Sequence, residues 1–138
     1  SMGVKDIFLM GANAVEKSYW QSHALKPEPL FKQLILGLEQ GMDTQMPTVR
    51  MQSRFRRFVE DDLPEVRADR LLYIAHPDPL PLFPERNAEK AVLVVGPEAG
   101  WTEYEMGRWD ELGGQRLSLG ARPLRVEAAV PALLSRMI

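Results

Sequence analysis

The sequence predicts an α/β protein built on an open parallel sheet. Short apolar runs of strand length alternate with longer stretches that are apolar at helical spacing. One run, Ala91-Val92-Leu93-Val94-Val95, is β-branched and apolar on both faces, as a buried parallel strand requires. Glycine-bearing turns follow two of the predicted strands, at the end where sheets of this class bind ligands.

Taken in order, Asp6-Ile7-Phe8-Leu9-Met10 is an apolar run closed by Gly11 and reads as a strand. From Pro27 to Gln40, Leu30, Phe31, Leu34, Ile35 and Leu38 recur at helical spacing. Pro27 suits the first turn, and Gly41 predicts the stop. Thr48 to Gln52, after Pro47, predicts another strand, whereas Arg54 to Val59 fits a short helix and an extended segment equally well. Leu71-Leu72-Tyr73-Ile74 predicts a buried strand between Arg70 and Ala75; Pro77, Pro79, Pro81 and Pro84 then exclude regular structure. Ala91 to Val95 is the strongest strand and is expected at the centre of the sheet. Thr102 predicts an N-cap, with Glu105 completing a capping box, for a helix reaching Leu112 and ended by Gly113-Gly114. Leu117 to Leu119 predicts a short strand, and Arg125 to Met137 a final apolar helix.

A chain of 138 residues with 45% hydrophobic and 26% charged residues has the composition of one globular domain. There is no internal repeat. The absence of cysteine excludes disulfides and thiolate metal sites, and two histidines, His23 and His76, without ligand-spaced partners make no metal centre. No apolar run has membrane-spanning length and no signal peptide opens the chain, so a cytoplasmic protein is expected. A net charge of −2 gives no overall attraction to nucleic acid, so RNA binding would need a local basic patch, a partner subunit or another domain.

Two loops carry the functional signal: Gly96-Pro97-Glu98-Ala99-Gly100-Trp101 and Leu119-Gly120-Ala121-Arg122-Pro123-Leu124-Arg125-Val126-Glu127. Glycine lets backbone approach a ligand closely and proline fixes a turn, so backbone groups there can read an adenine edge. Dinucleotide and phosphate-loop fingerprints do not fit, because the middle glycine and the Gly-Lys-Ser/Thr are missing. As they stand, GPEAGWTEYE and LGARPLRVEA resemble the paired motifs of the 16S rRNA uracil-N3 methyltransferase family, a SPOUT-class family of knotted enzymes. Weaker similarity extends upstream, to Gly3-Val4-Lys5-Asp6-Ile7 and to Glu39-Gln40.

The resemblance implies an α/β knot, with a C-terminal deep trefoil holding S-adenosylmethionine, and a homodimer packed through the knot region. Residues 3–138 would be the methyltransferase domain, without its first strand and helix and without the N-terminal RNA-binding barrel of full-length members. The cofactor pocket would be lined by Gly96, Pro97, Glu98, Gly100, Leu119, Gly120 and Leu124. Arg122 and Arg125 would hold RNA phosphate or place the base, and Glu127 would orient an arginine or accept the proton of N3. The partner would be 16S rRNA in the small ribosomal subunit. Read without the resemblance, Arg125 and Glu127 are an ion-paired helix start, and the last helix simply packs on its own sheet. Several positions depart from the family pattern. Ala99 stands for a glycine, Pro123 for a branched apolar residue and Ala128 for a threonine. Asn13-Ala14-Val15 stands where Glu-Arg-Ser is usual, and Asp43 where an arginine is usual. The cofactor loops are thus kept better than the polar groups expected to face RNA, which describes a divergent member. The rival reading is a knotted module that binds cofactor or RNA and dimerises without transferring a methyl group.

Three smaller features remain. Arg50, Arg54, Arg56 and Arg57 interleave with Phe55 and Phe58 as an RNA surface would, but Glu60, Asp61, Asp62 and Glu65 favour a solvated mixed-charge face. His76, at a strand end, is read as structural. Tyr19-Trp20 is read as a hydrophobic anchor.

Overall fold

The fold is that of a computed structural model, which describes residues 2–13, 17–78, 81–82 and 90–137. Its elements are β1 (Asp6–Met10), α1 (Pro27–Gly41), β2 (Thr48–Gln52), α2 (Phe55–Arg57), α3 (Leu63–Arg67), β3 (Leu71–Ala75), β4 (Ala91–Val94), α4 (Glu103–Glu111), β5 (Gln115–Leu117) and α5 (Val126–Ser135). A π-helical stretch, Phe58–Asp62, joins α2 to α3. Every strand pair is parallel. Among the described residues the strands form two groups rather than the single sheet expected: β1 with β2, and three strands in the order β4-β3-β5.

The central strand is β3, not β4. Leu71↔Ala91 through Ile74↔Val94 pair it with β4 on one side, and Tyr73↔Gln115 through Ala75↔Leu117 with β5 on the other. The apolar faces of β4 have a different cause from strand neighbours. Val92 and Val94 belong with one core cluster, Ala91, Leu93 and Val95 with the other. A strand covered above and below reads as continuously apolar even at an edge.

The larger cluster joins Phe55, Phe58, Val59 and Leu63 to Leu72, Ile74, Val94, Met106 and Trp109. Burial of Phe55, Phe58 and Val59 decides the open 54–59 segment for a helix and removes both phenylalanines from any base-stacking role. Outside them, Arg56 and Arg57 pair with Glu60 and Asp61 one turn on, the mixed-charge face that was favoured. Phe8 stacks on Phe58 at 5.5 Å and so brings β1 onto this core. On the opposite face Tyr73, Leu117 and Leu133 form the second cluster, with Ala129 from the first turn of α5 and Met137 just past its end against it. The C-terminal helix therefore does pack on its own sheet.

Helix ends follow local chemistry with one exception. Thr102 Oγ1 accepts from Glu105 N, and Glu105 Oε1 accepts from Thr102 N at 2.9 Å, the predicted capping box. On α1, Gly41 remains helical and Met42 takes the left-handed cap at φ 50°, its N–H bonded to Glu39 O and Leu38 O. The following Asp43 explains why the turn closes there: it accepts from Lys5 Nζ at 2.6 Å and from Gln45 N at 2.9 Å.

β5 begins two residues earlier than the Leu117–Leu119 expected, and its end has unusual surroundings. Leu117 O accepts from His76 N and Ser118 N donates to Pro81 O, both at 2.9 Å. These two groups belong to one trans peptide and so point in opposite directions. The segment after β3 therefore lies on both sides of the end of β5, and Leu82 continues it as a parallel bridge to Ser118. Prolines 79 and 84 of that proline-rich stretch lie outside the described residues.

Trp109 is fully buried between Phe55 and Trp101, edge-on to both. Trp109→Ala should lower unfolding free energy by about 3–5 kcal/mol, measurable by denaturant titration. Arg116 clasps Asp110 with two bonds, Nε–Oδ1 3.1 Å and Nη2–Oδ2 2.5 Å, fastening α4 to β5. The arginine's hydrogen bonds hold the Asp110 carboxyl below its ordinary value. A carboxyl lowered by folding stabilises above the ordinary carboxylate range, and the gain is lost as pH falls through its folded value. Because both side chains are partly exposed, Asp110→Asn should cost at most about 1 kcal/mol near pH 7. Chemical denaturation at descending pH should show wild type and variant converging in acid.

Candidate functional site

The sheet order places the two glycine loops at the same end. Chain reversal after β4 gives Gly96–Trp101, and the chain leaving β5 gives Leu119–Leu124. With β3 between them, the strand ends stand about 10 Å apart, two strand spacings. His76-Pro77-Asp78, leaving β3, occupies the position between them. Nothing in the local sequence marks these three residues for that place, because strand order is set by long-range pairing. His76 is itself held, its Nδ1 accepting from Asp78 N at 3.3 Å and lying 3.2 Å from Asp78 Oδ2.

The first loop is a tight turn with Gly100 N bonded to Pro97 O at 2.9 Å. Gly100 takes φ 82°, which a side chain would strain, whereas Ala99 stays out of the positive-φ region. The left-handed bend is thus made at Gly100, and Ala99, standing for a glycine, carries its β-carbon without that strain. Gly96 serves a different need: a β-carbon there would stand 2.7 Å from the Trp101 indole. Trp101 in turn meets Trp109 at 5.6 Å and Phe55 at 6.0 Å, so the loop rests on an aromatic floor continuous with the core.

The second loop turns on Ser118. Its buried hydroxyl accepts from Gly120 N at 3.0 Å and donates to Gly120 O at 3.1 Å, with Gly120 at φ 126°. Beyond it Leu119 packs on the second core cluster, and Leu124 is exposed. At Gly100 and at Gly120 a β-carbon would meet nothing within 4 Å. Both backbones therefore face open space, as a ligand read through main-chain groups requires. Pro97 and Gly96 are half-buried, and Glu98 is exposed.

Arg122, Arg125 and Glu127 are exposed at the entry to α5. The expected Arg125–Glu127 ion pair is not formed; Arg125 caps α5 through its carbonyl, which accepts from Ala128 N and Ala129 N. Among the described residues none of the three side chains is engaged in a salt bridge. A neighbouring cleft of about 290 Å³ runs along α4, lined by Trp101, Thr102, Met106, Gly107, Asp110 and Arg116. It lies beside the first loop and does not include the second. Asn13 of the altered upstream segment reaches the first turn of α4, just past the first loop, through its backbone, donating to Glu105 Oε2 at 3.0 Å. Ala14 and Val15 lie outside the described residues.

A parallel sheet with glycine turns at the carboxyl ends of two strands flanking a third defines the general class, an α/β ligand-binding domain. The family model described as RNA methyltransferase domain matches residues 1–138, and the chain belongs to that family. It is 29% identical over 137 residues to ribosomal RNA small subunit methyltransferase E of Treponema pallidum, covering 96% of this chain and 51% of that protein. Against ribosomal RNA small subunit methyltransferase E 1 of Borreliella burgdorferi the identity is 28% over 145 residues, covering 96% and 55%. The chain thus spans about half the length of the curated relatives it matches. Among solved structures, a Legionella pneumophila protein described as a methyltransferase, in complex with bound S-adenosylmethionine, superposes with a TM-score of 0.76. The identity is 27%, covering 97% of this chain and 55% of that one.

Gly96→Ala should push the Trp101 ring off its seat, lowering stability by about 1–3 kcal/mol and changing tryptophan fluorescence. Gly100→Ala, with room for its methyl group but an adverse φ, should leave that fluorescence unchanged.

Proposed function

We propose that residues 3–138 bind S-adenosylmethionine between the two glycine loops and methylate N3 of a uracil in 16S rRNA. The observation that carries this is the pair of loops with open space at Gly100 and Gly120, at the same end of the sheet on either side of β3, in a chain of the RNA methyltransferase domain family. The donor set fits the cofactor: the adenine and ribose edges call for uncharged donors and acceptors at close range, which turned backbone supplies. Gly96, Pro97, Glu98, Gly100, Leu119, Gly120 and Leu124 hold it, the Trp101 ring fixing the loop from beneath. The Legionella relative, solved with the same cofactor, supports this assignment.

When bound, S-adenosylmethionine supplies a methyl group on a positively charged sulfur that leaves as a neutral thioether. The protein's part is alignment and proton removal. Arg122 and Arg125 hold RNA phosphate and set the base for in-line approach. Glu127, exposed in the first turn of α5, takes the N3 proton. The loop after β3, on both sides of β5, supports a trefoil knot in which the chain beyond Ser118 passes through that loop. The domain works as a homodimer packed through the knot region, where Val130 and Leu134 remain only half-buried.

Calorimetry with S-adenosylmethionine and its demethylated product tests the pocket; absence of binding to either overturns the reading. Glu127→Ala should then lower methylation of small-subunit RNA by about 10²–10⁴-fold with cofactor affinity unchanged. Binding without any methylation by wild type would instead establish the non-catalytic module.

A further inference from the structure

Glu105 is 2% exposed, and its two carboxyl oxygens have different tasks. Oε1 accepts from Thr102 N, at the end of the first glycine loop, and Oε2 accepts from Asn13 N, three residues beyond β1. The Asn13 bond is not needed to start α4, because a capping box is complete with Thr102 and Glu105 alone. On the other side, the segment leaving β1 is fastened by Gly11 N to Gln52 O at 2.8 Å. Gly11 is also packed so closely that a β-carbon would stand 1.9 Å from Ser53 O. Residues 11–13 are therefore clamped at one end to β2 and at the other to a single buried carboxyl group shared with the loop of the proposed pocket.

We propose that Glu105 is a positioning residue that couples the segment after β1 to the Gly96–Trp101 loop, so that filling the pocket orders both. The segment then becomes a further wall of the site, with the exposed Asn13 side chain beside it. A buried carboxyl group has few alternatives to its two donors, since leaving either N–H or oxygen unpaired away from water costs about 1–3 kcal/mol. Movement of one loop is thereby passed to the other. The proposal rests on the cofactor reading above.

Two substitutions separate coupling from capping. Glu105→Gln keeps an oxygen for Thr102 N, since glutamine also completes a capping box, but presents an N–H₂ group to Asn13 N. Thr102→Ala removes the hydroxyl cap and leaves both Glu105 oxygens in place. Hydrogen exchange of the Asn13 amide is followed with and without S-adenosylmethionine, alongside calorimetry. In wild type and Thr102→Ala the cofactor should slow that exchange about fivefold or more; in Glu105→Gln it should still bind but no longer slow it. Equal slowing in Glu105→Gln, or cofactor binding to wild type without slowing, overturns the coupling. No cofactor binding at all overturns the pocket assignment, and the coupling falls with it. Asn13→Pro deletes the same bond from the other side. It should weaken cofactor binding by no more than the about fivefold coupling it removes and raise KM for small-subunit RNA, and an unchanged KM counts against the proposal.

Discussion

The peptide joining Leu117 to Ser118 receives a hydrogen bond from His76 on one side and gives one to Pro81 on the other. Because one planar unit cannot turn both groups the same way, the chain leaving β3 has to reach both edges of β5 before it returns to pair as β4. That return is to the opposite side of β3, the order being β4-β3-β5. The end of the last strand is thus gripped, and Leu119–Leu124 departs from a fixed point. The strand order β4-β3-β5 sets His76-Pro77-Asp78 between the two glycine loops, and the bond from His76 N fixes it against the end of β5.

Much of this was legible where the determinant is local. The bounds of β1 follow from an apolar run closed by Gly11, β2 opens after Pro47 as expected, and the α4 start follows from the Thr102–Glu105 spacing. What needed the tertiary structure is of another kind. Apolarity on both faces of Ala91–Val95 reports two covered faces, and it says nothing of how many strands lie alongside. Gly41 offered a left-handed cap, yet Met42 takes it, because Asp43 is drawn to Lys5 and Gln45 and fixes where the turn closes. Phe55 and Phe58 alternated with arginines as an RNA surface does, and burial of both rings shows that core packing set the pattern.

The site divides into a floor and a rim with different physical origins. Its floor is the ring stack of Phe55, Trp101 and Trp109, in which both indole N–H groups are buried without a partner among the described residues. Leaving such donors unpaired costs about 1–3 kcal/mol each, so the stack is held by ring packing rather than by polar bonding. Its rim is backbone turned by Gly100 and Gly120, and exposed side chains at the start of α5. Arg122, Arg125 and Glu127 are engaged in no salt bridge among the described residues, which leaves their charge available to a polar ligand.

This division describes how a divergent chain would keep the pocket of the proposed function. The departures at Asp43, Ala99, Pro123 and Ala128 fall on the rim or away from it. Ala99 lies at a turn position without positive φ, while Pro123 and Ala128 are exposed. Asp43 is spent on closing the turn between α1 and β2. None of these substitutions enters the aromatic floor or the grip on the Leu117–Ser118 peptide. On the proposed function, they therefore leave the support beneath the pocket in place. The proposed recognition of a cofactor through backbone depends on where the loops stand, and the buried residues beneath fix that whatever side chains the rim carries.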